Sequence, residues 1–182
     1  TQLGNSVALA AGVAVVVLLL AVPIARTAAR RRPWLELVAT LPVAAPAILL
    51  GIGLVRAFHD SPLRLVGNDF YSGWGFAVCG YAARFLPFAA LTLTGQVRRL
   101  PRAAEEAGAF VPRSAAVRAL QLHVRPLLPA AWTAWVMVFV LALRELDLAV
   151  VLPAANATAV RRLANAVHFQ HEDYSGVIAL LL

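Results

Sequence analysis

Four charged side chains lie within or at the edge of runs otherwise built from Leu, Val, Ala and Phe. Arg84 stands in the run Trp74 to Gly95, and Arg144, Glu145 and Asp147 stand where LPAAWTAWVMVFVLAL meets DLAVVLP. A charge in hydrocarbon costs at least about 2.5–3.5 kcal/mol on insertion scales, so such residues usually face a bundle interior or an aqueous cavity and are paired there. Arg144 and Asp147 are three apart and are spaced to pair along one helix face, which leaves Glu145 for a translocation route or the outer mouth. The alternative puts 144–147 at the outer interface with its charges in headgroup water, because Leu127 to Leu143 is already close to a full span. Arg84, one turn before Pro87, reads as an internal contact with Glu145 as its candidate partner; the other reading is snorkelling toward an interface. The chemistry on offer is passage or relay of an ion or polar solute.

Bond-making chemistry has no such foothold. The chain has no lysine, and therefore no phosphate loop of the Gly-x-x-x-x-Gly-Lys form. No Ser/His/Asp arrangement or cysteine–histidine cluster is present, so neither a catalytic residue nor a metal site is expected, and no cofactor. His168, His171, Glu172 and Asp173 cluster, but their spacing fits no helix-borne metal site and reads as a solvated loop. Cys79, the single cysteine, has apolar neighbours and reads as a packed, inert thiol.

The second polar constellation is the stretch Gln96 to Arg125, QVRRLPRAAEEAGAFVPRSAAVRALQLHVR, set between two apolar runs. It is too charged for hydrocarbon, and its arginines hold it on the cytoplasmic side. Pro101 to Ala109 has good helix formers, a proline suited to a helix start and Gly108 as a stop, which predicts a short surface helix.

The elements that position these residues are membrane helices. Of 182 residues 61% are hydrophobic and 14% charged, and the mean hydropathy is +0.77. Soluble domains are nearer 45–50% apolar and 25% charged. Runs of roughly 20 apolar residues are what a bilayer requires. They predict spans at Val7 to Ala25, Leu37 to Val55, Trp74 to Gly95 and Leu127 to Leu143, with a fifth beginning at Gly176. Arg26 and Arg30 to Arg32 form a basic loop after the first span and place it in the cytoplasm with the N-terminus outside. His59 to Gly73 and Val160 to Tyr174 then lie outside. The formal net charge of +7 is all arginine, mostly in short loops beside apolar runs, so topology explains it and nucleic acid does not. The expectation is one all-α, polytopic transmembrane domain over 1–182, a piece of a longer polypeptide. Its setting is a lipid bilayer.

The polar loop between two spans resembles the cytoplasmic loop of the permeases of binding-protein-dependent ABC importers. Arg102-Ala103-Ala104, Glu105-Glu106-Ala107 and Gly108 fit that family's Ala-Ala and Gly positions, with Arg102 in place of its glutamate and no Leu-Pro downstream. Leu41-Pro42, Pro46 and Gly51-Ile52-Gly53 resemble the second span of the ferric-iron-type permeases. Tyr81 with Arg84-Phe85-Leu86-Pro87-Phe88 resembles their third span, Leu143-Arg144-Glu145-Leu146 their Leu-Arg-Glu-Leu run, and Asn5-Ser6 the usual module start. The resemblance implies a permease with a coupling helix that docks on cytoplasmic ABC ATPase subunits, receives solute from an extracytoplasmic binding protein and works with a second permease module, homodimeric, heterodimeric or fused. Relatives in that group import ferric iron, thiamine, phosphonates, sulfate and polyamines. Glu105 and Glu106, one turn after Arg102, are placed to take over part of the missing glutamate's role. Two other classes fit the residues: a proton-coupled secondary carrier using Arg84, Arg144, Glu145 and Asp147 as a relay, and a non-transporting membrane scaffold.

Overall fold

The computed structural model describes residues 2–62, 67–101, 103, 124–153, 159 and 165. Regular structure among them is helical throughout: α1 (Gln2–Arg30), α2 (Trp34–Ala44), α3 (Ala47–Asp60), α4 (Asn68–Ser72), α5 (Trp74–Arg99), a 3-10 turn (Arg125–Leu127) leading into α6 (Leu128–Arg144), and α7 (Asp147–Val151). Among the described residues α1, α5 and α6 with its 3-10 turn are each long and apolar enough to cross a membrane. The fifth predicted span, from Gly176, lies outside the described residues.

Small side chains allow the three long helices to pack against one another. On α1, Ala10, Ala14, Val17, Ala21, Ala25 and Ala28 recur at helical spacing and are all buried. Lipid tails are as apolar as leucine, so membrane helices associate by close packing rather than by escape from water, and alanine permits close backbone approach. The stripe lies against α5 and α6. These contribute Ala82, Phe85, Ala89 and Leu93, and Ala134, Val138 and Ala142 at i, i+4 and i+8, to the same core.

Two boundaries and the setting of Cys79 differ from the sequence expectation. The basic run after the first apolar stretch is not a loop: α1 continues through Arg26 to Arg30, and the Arg31 and Arg32 amides still donate to the Thr27 carbonyl (2.9 and 2.8 Å). Arginine is a good helix former and suits the negative end of the helix dipole, so the end of the apolar run is not the end of the helix. Part of the loop predicted over His59 to Gly73 is likewise helical, as the end of α3 and all of α4. Cys79 is exposed on α5 rather than packed, because the buried face of that helix runs through Ala77, Gly80 and Tyr81.

The largest difference is in the second predicted span. Leu37 to Val55 is not one helix but two, α2 and α3, bent by 101°. Proline lacks the N–H of a helical hydrogen bond and pushes the residue before it out of the α region. Ala45 and Pro46 are accordingly both extended (ψ 135° and 138°), and α3 restarts with the Leu50 amide on the Pro46 carbonyl. The pair still runs the length of α5 in the opposite direction. Glu36, in the first turn of α2, meets Arg98 in the last turn of α5. Phe58, near the end of α3, packs edge-on against Phe76 near the start of α5 (5.4 Å between centroids). Counted as one broken span it makes a fourth crossing.

Two glycines seat α7 against α3 and α5. A Cβ on Gly80 would lie 2.7 Å from Leu152 Cδ1, and one on Gly51 3.1 Å from Val151 Cβ. Leu152 is fully buried and has no free side to move to. Gly80→Val is therefore expected to cost about 1–3 kcal/mol by overpacking. The check is thermal unfolding in detergent, where the midpoint falls by several degrees; Gly53→Ala, with nothing within 4 Å of its Cβ, leaves it unchanged.

Candidate functional site at two helix breaks

A helix that ends inside a bundle leaves its last carbonyls without partners, and burying them unpaired is costly. Two such ends among the described residues are those at Ala45 after α2 and at Glu145 after α6. Both are satisfied by side chains of α5 that lie one turn apart. Arg84 Nη1 donates to the Ala45 carbonyl (2.9 Å), and the Tyr81 hydroxyl donates to the Glu145 carbonyl (3.3 Å). At i and i+3 the two donors occupy one face of α5. The guanidinium also sits at the C-terminal, negative end of α2, where a cation is favoured.

Depth follows from helix rise. Tyr81 is seven residues in from Trp74 and Arg84 ten, or about 10 and 15 Å along an α5 axis of roughly 39 Å. The 144–147 turn, tied to α5 through Tyr81, therefore lies toward the Trp74 end of that helix. Tyr81, Leu148 and Ala149 are buried around it. The Glu145 carboxylate accepts the Leu148 amide (3.3 Å), closing the exposed N-terminus of α7 as a capping side chain does. Asp147, in the first turn of α7, adds negative charge at the favourable helix end.

Of the residues singled out in the sequence, Arg84 and Glu145 come together at this place. Arg84 is internal, but its hydrogen bond goes to a backbone carbonyl rather than to Glu145. The expected helix-face pair of Arg144 with Asp147 does not form on a continuous helix. The chain leaves helical geometry at Glu145 (ψ 110°), so the two residues belong to different helices, and both are exposed. Trp132 stacks on Trp135 (5.4 Å), and Trp135 on Phe139 (5.2 Å), in a ladder along α6. In the predicted coupling helix Ala103 is exposed. Arg102, Ala104, Glu105, Glu106 and Gly108 lie outside the described residues, as do His168, His171, Glu172 and Asp173.

Tyr81 and the Ala45 carbonyl belong to this site without any charge to announce them. Pro46 is the available signal for one break: a proline after the nine-residue stretch Leu37 to Ala45 frees a carbonyl that something must reach. The second break has no proline and no glycine, and nothing in the local sequence distinguishes Glu145 as a helix end.

No protein-family model matches the chain, and no curated protein matches it. The reading of function therefore rests on the residues and their placement.

Proposed function

We propose that the protein is the transmembrane permease component of an ATP-driven ABC importer of the binding-protein-dependent type, in a bacterial inner membrane with segment 101–124 on the cytoplasmic side. The observation that carries transport is the pair of discontinuous apolar helices, broken within the depth of the bundle and held by Arg84 and Tyr81. Continuous helices satisfy their own backbone and serve a passive anchor best. Broken ones recur where a route through the membrane needs backbone polar groups and a rearranging wall. Arg84 and Glu145 then line that route, and Glu145, with carboxylate oxygen, suits a cationic or hydrogen-bonding solute. The importer class comes from the resemblance of the loop and span motifs. On that reading Arg102 to Gly108 form the coupling helix, the ATP is hydrolysed by partner subunits, and ferric iron or another small ion or metabolite is delivered by an extracytoplasmic binding protein.

The test is purification of the full-length protein from its own host with mass spectrometry of what accompanies it. An ATPase subunit in stoichiometric amount, lost on deletion of 100–110 while the permease itself still inserts, is the expected result. The placement of Arg84 one turn from Tyr81, whose hydroxyl bonds the Glu145 carbonyl, favours a second reading, a proton-coupled carrier. A protein that purifies alone and moves solute only while a proton gradient lasts would replace the importer by that carrier.

A further inference from the structure

Topology accounts for the positive sign of one end of the bundle, but not for where its charges stand. Arg30, Arg31 and Arg32 at the end of α1, Arg98 and Arg99 at the end of α5 and Arg125 before α6 gather there. Three contacts hold that end together: Arg30 donates to the Leu100 carbonyl (2.9 Å), Gln96 donates to the Pro126 carbonyl (3.1 Å), and Arg98 pairs with Glu36. Glu36 is the one acidic residue described at this end, and Arg98 takes it. Arg31 and Arg32 are exposed and make no ion pair among the described residues.

The backbone fixes where these two arginines stand. Because α1 runs on as helix past Ala25, Arg31 lies six residues, or about 9 Å, beyond the end of the apolar run. The headgroup layer adds about 5–8 Å to each side of the hydrocarbon. Both arginines therefore stand at the outer edge of that layer, with side chains long enough to reach back into it. The chain then turns sharply. The Leu35 and Glu36 amides donate to the Arg32 and Pro33 carbonyls (3.0 and 3.1 Å), and α2 heads back along α5. The inner face of α2 packs on α5 and α1, with Ala39 against the core. Its outer face carries Trp34, Leu37, Val38 and Leu41 at i, i+3, i+4 and i+7, exposed by 53%, 71%, 48% and 62%. That open apolar column begins directly beneath the two arginines.

We propose that the corner between α1 and α2 is a binding site for one anionic phospholipid of the surrounding bilayer, its phosphate held by Arg31 and Arg32 and an acyl chain laid along Trp34, Leu37 and Leu41. Guanidinium forks match phosphate oxygens bidentately, and tryptophan belongs at headgroup level. A zwitterionic lipid brings its own cation to this basic end and is repelled in part; an anionic one is not. On α6 a similar column, Leu128, Trp132 and Val136, lies beneath the single Arg125. The paired arginines are what set the α1–α2 corner apart. The site depends on neither transport reading.

The experiment is native mass spectrometry of the full-length protein in detergent, titrated with phosphatidylglycerol and, separately, with phosphatidylcholine of the same chains. The parent is expected to retain one phosphatidylglycerol at least about fivefold more tightly than one phosphatidylcholine. Arg31→Gln and Arg32→Gln should each weaken phosphatidylglycerol by about fivefold, the contribution of one arginine near an anionic lipid surface, and the double variant should bind the two lipids alike. Arg56→Gln removes the same charge from an exposed position on α3, near the other end of the bundle, and should change nothing. Leu37→Ser combined with Leu41→Ser should weaken both lipids and keep their ratio. All these positions are exposed, so the fold is not at stake. Equal retention of the two lipids by the parent, or an equal loss in Arg56→Gln, overturns the site, because the attraction is then general. Displacement of the lipid by glycerol phosphate at equal concentration also overturns it, because the corner then takes a soluble phosphate without need of a chain.

Discussion

Arg84→Met is expected to open the junction between α2 and α3. The substitution keeps a long apolar stem and removes the donor to the Ala45 carbonyl together with the cation at the end of α2. Hydrogen bonds to charged groups contribute about 1.5–3 kcal/mol, a factor of about 10–100 in the local opening equilibrium. The Leu50 amide, the first of α3 to be bonded across the break, should exchange faster by that factor, while those in the middle of α1 keep their protection. Arg84→Lys should lie between, because it retains the charge but reaches the carbonyl with a shorter, non-planar head. Exchange at the break as slow in Arg84→Met as in the parent would mean that packing, not the arginine, holds it. Under the importer reading the same variant loses transport beyond its loss of stability, since the break is where the route is lined.

Ala21→Leu tests the other kind of contact. Ala21 is fully buried in the middle of the α1 stripe, with Val17 and Ala25 one turn to either side and equally buried. Three added carbons at a helix contact have nowhere to go, and overpacking costs about 1–3 kcal/mol, sometimes more, because α1 must move away from α5 and α6 as a rigid body. The expected result is a fall of several degrees in thermal midpoint and a loss of monodisperse protein in detergent. Leu19→Ala, two residues away and 69% exposed, changes as many atoms yet should cost little, since it faces outward. If the two variants behave alike, the alanine stripe is not the packing face.

The two substitutions mark the two ways this bundle is held. Along α1, α5 and α6 the contact is dry, made of small residues, and spread over several turns. At the two ends of α2 the contacts are local and polar, while α7 packs through buried Leu148 and Ala149, with glycines at 51 and 80 admitting it closely. Elements held by a few end contacts rearrange at lower cost than elements held by a continuous seam.

Much of the architecture was legible in the chain as written. Apolar runs of bilayer length located α1, α5 and α6, because hydrocarbon admits only helices whose backbone bonds are internal, and that constraint leaves a plain trace in composition. The cost of burying charge marked Arg84 and Glu145 as residues that need partners. Pro46 carried the signal for a break, since its missing N–H acts within one turn of itself. Other features were decided only by tertiary contact. Hydropathy ends at Ala25, but the helix runs to Arg30, since arginine outside the bilayer still propagates a helix. Arg84 chose a carbonyl over Glu145, and which acceptor lies in reach depends on where a different helix ends. The break at Glu145 has no local cause; Tyr81, far away in sequence, makes it tolerable by accepting the role of donor. Composition and spacing therefore determined that the protein is a helical membrane bundle and which charges needed partners. Only packing decided which partners they found, because those partners are backbone groups exposed by breaks in other helices.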